Sequence, residues 1–95
     1  MNRPPAPPPN PESLIEYPCD FPIKVMGAHV PGFEEAIVHV ARQFDPGFDA
    51  ATVERRPSSS GTYLGLTITV TATSREQLDD LYRTLTTHPM VKVVL

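Results

Sequence analysis

Ninety-five residues suffice for one hydrophobic core and not for two, and a composition of 40% hydrophobic and 20% charged residues is that of a globular chain. A formal net charge of −3 excludes a nucleic-acid binder driven by backbone charge, which needs a basic face to release counterions. The lone cysteine, Cys19, excludes an internal disulfide and points to a reducing compartment. No apolar run approaches the ~18 residues of a membrane span, and the N-terminus has no apolar signal-peptide core, so the expected location is the cytoplasm.

Residues 1–11 hold six of the twelve prolines, a single charge at Arg3 and nothing to bury. Such a segment cannot offset its ordering entropy and is expected to be a disordered, polyproline-like tail. Pro4 to Pro7 and Pro5 to Pro8 fit the P-x-x-P pattern of proline-recognising domains, but no basic residue flanks them in the orienting position, and a plain tail is the simpler reading. Residues 12–95 then form one domain. Its entry, Asn10 to Pro18, offers one capped helical turn, with Leu14, Ile15 and Tyr17 as anchors.

From Phe21 the periodicities sharpen. Phe21, Ile23 and Val25 alternate with Pro22, Lys24 and Met26 in a half-buried strand ending at Gly27. Pro31-Gly32 precedes a helix whose Phe33, Ile37, Val40, Ala41 and Phe44 share one face, with Glu34 and Glu35 at the positive end of the helix dipole. Asp45-Pro46-Gly47 stops it. Thr52 to Pro57 reads as a polar second strand at a sheet edge, where Glu54, Arg55 and Arg56 discourage further pairing. Ser58-Ser59-Ser60-Gly61 is a hairpin loop. In the third strand Leu64, Leu66, Ile68, Val70 and Ala72 face one way, and Tyr63, Gly65, Thr67, Thr69 and Thr71 the other, so one face of the sheet lacks helices. Ser74-Arg75-Glu76-Gln77 is a capping box opening a second helix with Leu78, Leu81, Tyr82 and Leu85 inward. Arg75 can pair with Asp79, and Asp79 with Arg83, at i, i+4 spacing. His88-Pro89 ends the helix, and Met90 to Leu95 supplies a last strand.

The order β-α-β-β-α-β predicts an α+β, ferredoxin-like sandwich: one antiparallel four-stranded sheet, order 4-1-3-2, with both helices on one face. The other face is expected to carry Lys24, Met26, Tyr63, Thr67, Thr69, Thr71, Met90, Lys92 and Val94, and function has to be sought there.

The fold serves many activities, so each is judged at its site. An RNA-recognition domain needs stacking aromatics on its two central strands, where this chain offers one tyrosine and a run of threonines. A metal chaperone needs paired cysteines after the first strand, and Cys19 stands alone before it. A phosphatase needs an arginine by the helix start, and residues 27–32 have none. His29, His39 and His88 fall on a loop, a helix face and a turn, so no metal or other cofactor is expected. Cys19 lacks a nearby base and reads as a half-buried spectator. Asp79 and Asp80 are adjacent on a helix and point apart, which does not make an acid–base pair. Ser58, Ser59 and Ser60 offer an anion nest, though a mobile hairpin tip fits them better.

The loop Gly27-Ala28-His29-Val30-Pro31-Gly32 joins a strand end to a helix start, where free N–H groups favour an anion. It is similar to the Pro-Gly loop beside the amino-acid pocket of ACT domains, a resemblance carried by Pro31-Gly32-Phe33; the alternative is a turn that needs glycine. A broader resemblance rests on Phe21-Pro22-Ile23-Lys24-Val25-Met26-Gly27, Pro57-Ser58-Ser59-Ser60-Gly61-Thr62-Tyr63 and the closing Val91-Lys92-Val93-Val94-Leu95. Together these resemble the YbeD-like family of small, functionally uncharacterised bacterial proteins. The resemblance implies an ACT-like fold and a regulatory role linked to lipoate metabolism. Ser60 stands where the family usually has lysine, which weakens an anion site in that loop.

The expectation is therefore a non-enzymatic regulatory or protein-interaction module. It would act through the open face (Lys24, Met26, Tyr63, Thr67, Thr69, Met90, Lys92, Val94) or the loop from Gly27 to Gly32. Its partner is another protein or a second copy of the chain, with no nucleic acid and no membrane. The alternative is a sensor of a small carboxylate or amino acid bound at a dimer interface.

Overall fold

A computed structural model describes residues 16–95. The proline-rich tail and the anchors Leu14 and Ile15 lie outside the described residues; Tyr17 is half-buried. The elements are β1 (Cys19–Ala28), α1 (Phe33–Phe44), a short 3-10 turn (Ala50–Thr52), β2 (Glu54–Pro57), β3 (Tyr63–Ala72), α2 (Arg75–Thr86) and β4 (Val91–Val94). The strands form one antiparallel sheet in the order β2-β3-β1-β4, the expected arrangement, and the helices cover one face. No helix among the described residues is long and apolar enough to cross a membrane.

The central pair organises the rest. β1 and β3 are matched over ten residues, from Cys19 opposite Ala72 to Ala28 opposite Tyr63. Because side chains alternate along a strand, this register puts Ile23, Val25, Leu66, Ile68 and Val70 on one face, each no more than 1% exposed. Phe33, Ile37 and Ala41 of α1 and Leu81 and Leu85 of α2 complete the same core. Tyr82 meets the Phe21 ring edge-on, with centroids 6.5 Å apart, and burial pushes its phenol above the ordinary pKa.

Two stretches differ from the periodicity. The second strand begins at Glu54, because Asp49 accepts from the Ala51 amide (2.9 Å) and caps a 3-10 turn over Ala50–Thr52. Phe48 and Val53, on either side of that turn, plug the core from irregular backbone. The capping box is also altered. Ser74 accepts from the Gln77 amide at 3.0 Å, but Gln77 Oε1 takes the Thr73 amide instead of reaching back to Ser74. Gln77 Nε2 donates to the carbonyls of Phe44 (2.8 Å) and Thr71 (3.0 Å), clasping the end of α1, the end of β3 and the start of α2. Asp45 adds to this clasp by accepting from the Thr71 amide at 2.9 Å. Arg75 pairs with Asp79 as expected, but Arg83 takes Asp80 one turn back, at 2.7 Å, in place of Asp79.

Leu66 and its neighbour Thr67 test the facing of β3. Leu66→Asp buries an unpaired charge and should cost more than about 3 kcal/mol in chemical denaturation. Thr67→Asp, on the open face, should stay within about 1 kcal/mol. Equal losses would mean that the sheet is packed the other way round.

Candidate functional site

The sheet face away from the helices is uncovered among the described residues, and its layout follows from the ladder registers. Arg56, Gly65, Met26 and Val93 form one row across the four strands. Glu54, Thr67 and Lys24 form the next, extended by Leu95, whose backbone exchanges hydrogen bonds with that of Lys24 (2.8 and 3.3 Å). Tyr63 sits beyond Gly65 on β3. These rows enclose an open concavity of about 550 Å³. Gly65 is its low point, since it contributes no side chain between Arg56 and Met26.

The facing of β4 differs from the expectation. Met90 and Val94 pack against the core, whereas Val93 and Leu95 line the open concavity. The register with β1 sets this facing, since Val94 pairs with the inward Val25 and Val93 with the outward Met26; a bulge then skips Lys92, so Val91 pairs with Gly27 and also turns inward. Apolar residues occupy both faces of this strand, so no alternation fixes its register, and a shift of one residue exchanges the faces. Lys24, Met26 and Tyr63 are exposed, Thr67 and Thr69 half-exposed, and Lys92 is exposed at the bulge.

Charge is unevenly distributed. Arg55 on β2 points to the helix side and makes a two-pronged contact with Glu34 of α1, which holds its guanidinium above the ordinary pKa. Arg75 and Arg83 are paired along α2. Lys24, Arg56 and Lys92 have no carboxylate partner among the described residues, and Glu54 is the one acidic side chain among the described residues lining the concavity.

The other sequence candidates do not converge on it. Gly27 is buried, and a Cβ there would collide with the Met90 carbonyl and lie 2.6 Å from Cε1 of the Phe33 ring. It serves packing between β1, α1 and β4. Within the loop to Gly32, the amides of His29 and Val30 donate to the carbonyls of Thr62 and Ala28, both at 2.9 Å. Gly32 ends the loop with φ +88°, the left-handed conformation that favours glycine. No residue from 27 to 32 lines the concavity. The serine loop spends its hydroxyls on itself: Ser58 Oγ accepts from the Tyr63 amide (3.1 Å), and Ser60 Oγ donates to Thr62 Oγ1 (3.0 Å). His29 and His39 are exposed, and His88 Nδ1 accepts the Met90 amide at 3.1 Å. No cluster of metal-binding type occurs among the described residues, and Cys19 is a half-buried free thiol.

The packing role of Gly27 is directly measurable. Gly27→Ala should destabilise the domain by about 2 kcal/mol or more, because a backbone carbonyl cannot yield as a side-chain tip can. An unchanged unfolding midpoint would contradict the contact.

Comparison with known proteins is consistent with this architecture. The chain is 71% identical over 87 residues to a UPF0250 protein of Leptothrix cholodnii, covering 92% of this chain and 96% of that one. It is 66% identical over 94 residues to UPF0250 protein RSc0326 of Ralstonia nicotianae, covering 99% and 96% of the two chains. The solution structure of protein HP0495 from H. pylori superposes with a TM-score of 0.74 at 12% identity, over 100% of this chain and 98% of that one, and shows the same fold. The family described as "Protein of unknown function (DUF493)" matches residues 12–95. The chain thus belongs to this family of small bacterial proteins, the YbeD-like group that its strand ends and hairpin loop resemble.

Proposed function

We propose that the domain is a non-enzymatic interaction module whose working surface is the open sheet face. One observation carries this reading. Five large apolar side chains are exposed among the described residues, and four of them, Met26, Tyr63, Val93 and Leu95, meet at the same concavity. Scattered exposed apolar residues are ordinary, but a gathered patch is the usual mark of a contact surface. Methionine and tyrosine suit that task, the first by adapting its shape and the second by combining an apolar ring with a polar tip. The YbeD-like resemblance supports a regulatory setting for the contact, within lipoate metabolism.

The chemistry on the face also supports binding over turnover. The polar residues lining the concavity are Lys24, Glu54, Arg55, Arg56, Ser58, Tyr63 and Thr67, with the Arg55 guanidinium held by Glu34. No nucleophile there has a general base beside it: Ser58 Oγ is already committed to the Tyr63 amide and to the neighbouring Ser60 hydroxyl.

A photo-reactive residue placed at Thr67 in the full chain, and in a second variant at Glu76 on the exposed side of α2, tests the surface in living host cells. Adducts from position 67 and few from 76 are expected. Equal adduct formation at both positions, or none at 67, would overturn the assignment.

A further inference from the structure

The charges on the open face go further than its location and indicate what it receives; this step rests on the reading of that face as a contact surface. Cations among the described residues fall into two groups. Arg55, Arg75 and Arg83 have carboxylate partners. Lys24, Arg42, Arg56 and Lys92 have none, and all but Arg42 lie on the sheet. In a chain whose formal net charge is −3, the concavity is lined by the unpaired Lys24 and Arg56 against the acidic side chain of Glu54; Asp20, on the same face, stands at the far end of β1 opposite Thr71. A second copy docked face to face offers Lys24 and Arg56 one acidic side chain within the concavity, its own Glu54, so a twofold dimer through this surface leaves one of the two cations without a partner. A carboxylate-bearing partner complements it.

Shape narrows the partner. No helix or loop among the described residues roofs the concavity, so a small molecule held by these residues would keep much of its surface in water instead of being mostly enclosed. The row Arg56–Gly65–Met26–Val93 spans four strands, about 14 Å at ~4.8 Å per strand, which matches about four residues of extended chain at ~3.3 Å each. Addition of a strand at the β2 edge is disfavoured. The Ser58 amide bonds inward to Tyr63 O at 2.9 Å, so ladder alternation turns Arg55 and Pro57 outward, and proline has no N–H to offer. An occupant of the concavity therefore lies across the face.

We infer that the open face binds an extended acidic segment of another protein, with alternate apolar side chains over Gly65 between Met26 and Val93 and carboxylates at Arg56 and Lys24. The apolar floor supplies contact area, and the two unpaired cations set direction and reject basic sequences.

The test is selection of random dodecapeptides displayed on phage against the intact chain, followed by titration of the enriched synthetic peptides. Enrichment of sequences that interleave Asp or Glu with large apolar residues is expected. Their binding should weaken at least about tenfold in Lys24→Glu/Arg56→Glu and on raising salt, and stay unchanged in Arg42→Glu, the unpaired cation of the helix layer. Both substituted side chains of the double variant are exposed, and its thermal midpoint checks that it folds. Neutral or basic consensus sequences, no enrichment, or acidic peptides indifferent to the double variant would each overturn the inference. So would self-association of the chain alone, seen by sedimentation and abolished by Met26→Asp; that outcome, or adducts from position 67 to a partner without an acidic segment, leaves the contact surface standing. Loss of both the peptides and the adducts would remove the surface itself.

Discussion

With no side chain at Gly27, the ring of Phe33 rests against β1 and the Met90 carbonyl closes over the same spot. That single close approach ties the first residue of α1 to the central strand and brings in the strand that ends the sheet. Phe33 is fully buried, so the helix start is fixed by packing as well as by the left-handed Gly32 before it. β4 reaches this point with a bulge at Lys92, so that Val91 as well as Val94 lies on the core side, with Val93 on the open side. The apolar floor of the open face thus depends on how β4 meets the sheet at Gly27. A packing constraint in the interior sets the composition of a surface on the far side.

The two faces of the sheet are finished differently. On the helix side, apolar residues fill the core, no polar residue among those described is fully buried, and Gln77 and Asp45 satisfy backbone groups where α1, β3 and α2 converge. Arg75 and Arg83 of that layer lean on neighbouring carboxylates, and Glu34 draws even Arg55 of β2 toward α1, while Arg42 has no such partner among the described residues. On the other side, apolar side chains and cations stand exposed together without partners among the described residues. A face serving only as a solvated exterior has no need of Met26, Val93 and Leu95 side by side, since threonines such as Thr69 and Thr71 suit a wet strand equally well.

Strong periodicity made the fold readable in advance. Five alternating residues from Leu64 to Ala72 and the stripe from Phe33 to Phe44 each allow one facing, and the order of elements leaves few topologies. Local composition hid the rest. Phe48 and Val53 enter the core from a turn, where no period exists to reveal them. In β4, Val91, Val93, Val94 and Leu95 are apolar on both faces, so only pairing with β1 decides which of them meet water, and Met90 and Val94 turn inward. Lys24, Met26 and Tyr63 were legible because β1 and β3 alternate cleanly. The role of Arg56 was not, because a polar edge strand reads the same whether its arginines pair with a helix, as Arg55 does, or stand free.

The central claim is that the open face, and no other surface, receives an acidic partner. Backbone amide shifts of the isotopically labelled chain, followed by NMR as an enriched acidic peptide is added, test it most directly. The account predicts movements at Lys24, Met26, Gly65, Thr67 and Val93, with α1, α2 and the loop from Gly27 to Gly32 nearly still. Movements concentrated on Glu35, Arg42 or the Gly27–Gly32 loop, with the sheet unmoved, would contradict it.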